Sequence, residues 1–257
     1  QLREAAARSA GELQAARRIQ MGLLPDPGVL FERERSFAVR ALIEPALSVG
    51  GDFYDCFKLD DGRLFIVVAD VSGKGMPAAL FMALCKATIK AAAISAGGNP
   101  GLALQRAAVE IERDNPETFF VTVFAAALDL ASGRLEHCNA GHEPPFTRRP
   151  GGPLKRLPAA QRPPIGVPEE FAFATDAAQL APGEWLCAVT DGVTEAMDAS
   201  GALYGVRRLE QVLESLGAQA TPQEITMAVR DDVQRFVGDA SASDDLTLLA
   251  LRWSSAR

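Results

Sequence analysis

Apolar positions in this chain follow two rhythms, helical and extended, that alternate in blocks along it. In residues 1–24 (QLREAAARSAGELQAARRIQMGLL), Leu2, Ala6, Leu13, Ala16 and Leu23 recur at intervals of three, four or seven, with Ile19 alongside. That is a thin apolar stripe on a charged helix of strong helix formers, stopped by Pro25 and Pro27. The helix either folds back on its own core or pairs as a coiled-coil connector to an upstream module. The small alanine-rich stripe suits pairing better. From Phe37 the runs FAVRALI, FYDCFKL and RLFIVVAD are rich in aromatic and β-branched residues, and Asp60-Asp61-Gly62 makes a hairpin turn between the last two.

Residues 76–95 then read as a largely apolar helix ended by Gly97-Gly98, followed by a helix at about 101–113. Strands FFVTVFAAALDL and RLEHCNA join through Ala131-Ser132-Gly133. The Pro- and Gly-rich stretch 144–170 predicts a long surface loop of the kind that forms lids or partner-binding segments. Strands FAFAT and EWLCAVTD follow, then helices near 205–216 and 222–237, and LTLLALRW as the last strand. Hairpin-linked strands imply antiparallel sheets, and helices in adjacent pairs do not fit a parallel βαβ fold. The expected class is α+β, two packed antiparallel sheets with helix pairs on their outer faces. No internal repeat and no break forces two compact domains. The expected division is a helical linker over 1–26, able to form a coiled coil, and a domain over 27–257.

At 257 residues the chain can bury a substantial core, and 48% hydrophobic with 23% charged residues is ordinary for a globular protein. A net charge of −7 without a Lys/Arg tract argues against nucleic acid. No membrane contact is expected, because LFIVVADV is short and carries Asp70, and no signal peptide is visible at the start. Cys56, Cys85, Cys138 and Cys187 are far apart in apolar contexts, which predicts buried free thiols in a reducing cytosol. The first residue is Gln1 rather than Met, so a longer chain with an upstream domain is expected.

The chemistry lies in four aspartates that close short apolar or aromatic runs beside Gly, Ser or Thr. They are Asp52 in VGGDFYD, Asp70 in LFIVVADVSGKG, Asp191 in WLCAVTDGVTEA and Asp244 in SASDDLTLLALRW. Any one of them alone reads equally well as a turn cap. A carboxylate at a strand end is costly to desolvate unless a cation or donors meet it. Gathered at one edge of a β core, oxygen-only ligands suit magnesium or manganese rather than zinc. Two such ions held close make a site for hydrolysing phosphate esters.

The order GGDFYD, ADVSGKG running into an apolar helix, NAGHEPP, TDGVTEA and SDDLT resembles the PPM family of metal-dependent serine/threonine phosphatases, in its bacterial RsbU/SpoIIE-type branch. The resemblance covers about residues 17–253 and implies an α-β-β-α sandwich. It implies that Asp70 bridges two ions (Mn2+ or Mg2+), that the Val71 carbonyl is the second ligand of one, and that Asp191 and Asp244 complete the other's shell. Asp52 would orient the bridging water that attacks phosphorus, and Gly51 would allow a tight turn beside it. Asp245, where many relatives have asparagine, would stand behind the ligands. Asp55 is left out, since three residues along a strand from Asp52 it should face the other way.

Two positions depart from the family's animal members: Ser72 replaces a histidine proposed to protonate the leaving group, and Leu47 replaces an arginine that grips phosphate. His142 in NAGHEPP reads as structural, bonded to the backbone, rather than as a substitute acid. Lys74 reads equally as a phosphate contact or a solvated loop residue. The branch implies, as substrate, a phosphorylated regulator of the anti-sigma-factor-antagonist type in signal transduction and stress response. It also implies an upstream sensor or receiver domain. A homodimer through residues 1–24 would bias helix 76–95 and so control metal binding. Two other functions compete. A non-catalytic partner-binding module would have no need for the aspartate set, and a metal-dependent nucleotide enzyme would want a glycine-rich loop that is missing.

Overall fold

The computed structural model describes residues 2–113, 115–160, 162–167, 171–217 and 219–255, with side chains from Arg8 onward. Two five-stranded antiparallel sheets stack face to face. One runs in the order β1 (Phe37–Glu44), β10 (Leu246–Trp253), β9 (Trp185–Val189), β6 (Phe146–Arg148) and β7 (Leu154–Arg156). The other runs β2 (Phe53–Lys58), β3 (Leu64–Val71), β4 (Val121–Leu128), β5 (Arg134–Ala140) and β8 (Asp176–Gln179). Helices α3 (Gly75–Ser95) and α4 (Pro100–Arg113) cover the second sheet, and α6 (Gly205–Ser215) with α7 (Pro222–Val237) cover the first. Helix α1 (Leu2–Leu23) precedes them, and the single turns α2 (Pro27–Leu30) and α5 (Asp191–Thr194) complete the set among the described residues. This is the expected α-β-β-α sandwich.

Strand β10 is apolar on both faces over most of its length. Leu249, Leu251 and Trp253 pack between the sheets, while Leu246, Leu248 and Ala250 pack under α6 and α7. A strand covered on both faces has no polar side to show. Helix α3 turns Ala78, Met82, Cys85, Ile89 and Ala93 inward at spacings of three and four. It is long and apolar enough to cross a membrane by length and composition, which corrects the view that no run approaches a span. Here it is a core helix, half buried against β2 and β3.

Three expectations change. The run Phe171–Thr175 is not a strand: Phe173 N donates to Gln105 Oε1 (3.0 Å), and Gly101 N donates to Thr175 Oγ1 (3.0 Å). Its backbone is thus tied to α4, and pairing with β5 begins only at Asp176. The stretch 144–170 is not all loop, because β6 and β7 form a hairpin inside it. Arg148 anchors that hairpin by donating to the Leu213, Glu214 and Leu216 carbonyls at the end of α6. In α1 the packed face is Leu13, Ala16, Gln20 and Leu24, which leaves Ile19 and Leu23 68% and 44% exposed. Leu2 and Ala6 lie outside the described side chains. All four cysteines are buried and unpaired, as expected, and burial pushes the Cys85 and Cys187 thiols up to about 12.

The sheets are also locked together at the β4–β5 turn. Gly133 has φ +77°, and a Cβ there would lie 2.5 Å from the Trp253 ring of β10. Gly133→Ala should therefore cost about 2–4 kcal/mol, from left-handed strain plus overpacking. Chemical denaturation should show a lower midpoint with an unchanged slope. A loss under about 0.5 kcal/mol would mean the turn yields freely.

Candidate metal centre

Strand ends bring the aspartates together. Asp52 immediately precedes β2, Asp70 and Val71 end β3, Asp191 follows β9, and Asp244 and Asp245 precede β10. The registers Phe53↔Ala69, Leu248↔Val189 and Glu44↔Leu246 put these ends at one edge of the sandwich. Asp55 turns the other way, as expected, to Lys86 (2.8 Å) and Lys90 (3.5 Å) of α3.

Asp245 organises the edge. Its Oδ1 accepts from Ala46 N and its Oδ2 from Gly51 N, both at 2.8 Å. A Cβ on Gly50 would meet Asp245 Oδ2 at 1.8 Å, and one on Gly192 would meet the Asp245 carbonyl at 1.8 Å. Gly51 is equally constrained, since a Cβ there would lie 2.6 Å from the Val71 carbonyl. Only bare backbone fits between the two strands' ends. Gln20 of α1 holds the same loop, donating to Gly50 O at 2.6 Å and accepting from Gly50 N at 3.2 Å.

Asp52 is 2% exposed. Thr190 Oγ1 donates to its Oδ2 at 2.7 Å and accepts from Thr247 N at 3.2 Å, so Thr190 gives no side-chain cap to α5. Burial, and then the neighbouring Asp70, push the Asp52 carboxyl well above the ordinary range. Burial likewise raises Asp70, followed by the charges of Asp191 and Asp244. Asp191 is raised by burial, then by Glu195 and Asp244. Carboxylates this close resist sharing their charges without a cation.

Asp244 has one partner of opposite charge, with Lys74 Nζ 2.8 Å from its Oδ2. Among the described residues no three acidic, histidine or cysteine side chains converge into a ready-made metal cage. The donor set nevertheless fits a hard divalent cation: it is all oxygen, and its mutual repulsion is what such an ion would relieve. Asp70, the Val71 carbonyl, Asp191 and Asp244 are the groups that could hold it. A cavity of about 440 Å³ opens beside Asp244 and Gly192, bounded by Pro45, Val233, Val237 and Leu246.

Of the two departing positions, Ser72 has a structural use. Ser72 N donates to Phe120 O at 2.9 Å, and Ser72 Oγ accepts from Phe120 N at 3.0 Å, which pins the loop after β3 to the start of β4. Leu47 is 54% exposed. His142 is built into the scaffold, but its imidazole meets a threonine hydroxyl rather than the backbone expected. Its N donates to Asn139 Oδ1 (2.8 Å), its O accepts from Asn139 Nδ2 (2.9 Å), and its Nδ1 faces Thr122 Oγ1 at 2.8 Å. Its Nε2 is buried beside the Val189 backbone without a hydrogen bond. Sequence reasoning missed Thr190, Gly50, Gly192 and Gln20. Only Thr190 carried a signal, its place before Asp191 in TDG.

Burial lowers the His142 pKa from 6.5 to about 4. Between those values the folded chain binds fewer protons than the unfolded one. The histidine's contribution is therefore whole above about pH 6.5 and is lost as pH falls toward about 4. His142→Gln cannot titrate. The stability difference between wild type and this variant should fall by ~3 kcal/mol from pH 7 to pH 4, read by urea unfolding. A difference flat across that range would contradict a buried neutral imidazole.

The family described as Stage II sporulation protein E (SpoIIE) matches residues 60–254. Protein IcfG of Synechocystis sp. is 31% identical over 93% of this chain, which spans 41% of IcfG's length. Phosphoserine phosphatase RsbU of Bacillus subtilis is 27% identical over 94% of this chain and 70% of its own. Among solved structures, the SiaA-PP2C domain of Pseudomonas aeruginosa superposes with a TM-score of 0.83 at 25% identity, covering 97% of this chain and 99% of that one. The family match takes in β3, β10 and the aspartates they carry, and the likeness to SiaA extends over both sheets. The chain belongs to the SpoIIE family, and its sandwich is a PP2C-type phosphatase domain.

Proposed function

We propose that this chain is a divalent-metal-dependent protein phosphatase that removes phosphate from phosphoserine or phosphothreonine of a regulatory protein. The observation that carries this reading is the sandwich edge, where acidic side chains from residues 52 to 245 meet with no histidine or thiolate among them. Two bound manganese or magnesium ions would supply Lewis acidity, activating water for direct attack on phosphorus and offsetting charge on the phosphoryl oxygens. Asp70, the Val71 carbonyl, Asp191 and Asp244 would hold the ions. Asp52, whose Oδ2 accepts from Thr190, would orient the attacking water and accept its proton. Asp245 and Gly51 keep the Asp52 loop in register with Val71.

A substrate of the anti-sigma-factor-antagonist type is supported by the likeness to RsbU, which is named a phosphoserine phosphatase. The same reading covers a cytoplasmic setting, a connecting helix over 1–26 and a phosphatase domain over 27–257. An upstream sensor or receiver domain and a dimer paired through residues 1–24 complete it. The exposed Ile19 and Leu23, outside the face that seats α1 on the domain, support the pairing.

Hydrolysis of p-nitrophenyl phosphate and of a phosphoserine protein should require manganese or magnesium and vanish with chelator. Asp70→Asn and Asp191→Asn should each lose at least ~10²-fold in kcat, because each removes charge from the ion-holding edge. Turnover near wild type in either variant would sink the assignment.

A further inference from the structure

Lys74 stands apart from every other cation near the edge. It lies between Gly73 (φ +89°) and Gly75 (φ +72°), in the short loop that joins Asp70 to α3. Its ammonium pairs with Asp244 Oδ2 at 2.8 Å and also donates to the Ser243 carbonyl. Among the described residues no other lysine or arginine pairs with Asp52, Asp70, Asp191, Asp244 or Asp245. The side chain is 50% exposed and gives no cap to α3, so nothing but these two contacts fixes its position.

Two physical requirements meet at this residue. Asp244 Oδ1 already accepts from Asp245 N at 2.9 Å, so a divalent ion on this carboxylate competes with the ammonium for Oδ2 and is repelled by its charge. A phosphate group reaching this edge is itself doubly charged and is repelled by the carboxylates gathered there. A mobile cation rooted at the edge is the complement such an anion needs. We propose that Lys74 is a phosphate-binding residue of this site, parked on Asp244 until a divalent ion takes that carboxylate. The ammonium then turns to the substrate's phosphoryl oxygens. The parked state makes Lys74 a built-in competitor for the ion, and the released state makes it a ligand for the substrate. This assignment rests on the phosphatase reading for its substrate but makes its own claim about binding.

The test uses the whole chain, titrated with manganese alone and then, manganese-loaded, with inorganic phosphate, both by calorimetry. Lys74→Met should bind manganese about threefold more tightly than wild type, the worth of removing an exposed ion pair. Manganese-loaded, it should bind inorganic phosphate at least about fivefold more weakly, for the loss of a charge-assisted hydrogen bond. Lys74→Arg should stay within about twofold of wild type on both counts, and equal melting temperatures verify that all three chains are folded. Unchanged manganese affinity in Lys74→Met overturns the proposal, as does unchanged phosphate affinity. Loaded wild type that takes no phosphate overturns it too. If both shifts appear but wild type hydrolyses no phosphoester, the phosphatase reading fails and the Lys74 assignment stands.

Discussion

Like charges must be held together at the seam of this sandwich, and much of the local architecture serves that requirement. Asp52, Asp70 and Asp191 all have raised proton affinities, with burial as the largest cause and neighbouring carboxylates, Glu195 among them for Asp191, next. Repulsion between buried carboxylates would splay flexible loops. Here each carboxylate is instead rooted at the end of a hydrogen-bonded strand. The loop before β2 is further held by Asp245, which accepts from Ala46 N and Gly51 N, and by Gln20, which brackets Gly50. The rigidity belongs to the backbone, and the side chains inherit it.

Two further polar side chains brace the backbone behind the edge. Ser72 ties the loop after Asp70 to Phe120 instead of presenting an acid. His142 closes a ring of bonds with Asn139 and Thr122, and Thr122 lies across the ladder from Asp70. Both residues hold the scaffold behind the edge. Among the described residues, the charged side chains paired at the edge are its carboxylates and Lys74.

How much of this was legible in the sequence depended on how far each signal reached. Strands β5 and β10 and helix α7 were readable to the residue, because their apolar periods, turn glycines and caps are local. The run Phe171–Thr175 looked equally strand-like, but its backbone partners lie on Gln105 and Gly101, about seventy positions away. The face of α1 was misjudged because Gln20, a polar residue, is the buried anchor. In the candidate site, Asp52, Asp70, Asp191 and Asp244 stood out as charges closing apolar runs. The work of Asp245 did not, since its partner Gly51 is 194 positions away. Thr190 was hidden for a similar reason, its acceptor Asp52 being 138 positions distant.

Strand order carries a consequence for biosynthesis. The last of the described strands in chain order, β10, lies between β1 and β9, with Phe37 paired to Trp253 at a separation of about two hundred residues. The first sheet therefore cannot close while its final strand is still inside the ribosome. Pairings of such long separation form late, after loop-closure entropy has been overcome. The second sheet needs only residues up to Gln179 and can form earlier as a unit. Asp244 and Asp245 arrive with the last eight-residue strand, so a nascent or C-terminally truncated chain carries the carboxylates of β3 without those needed to complete the edge.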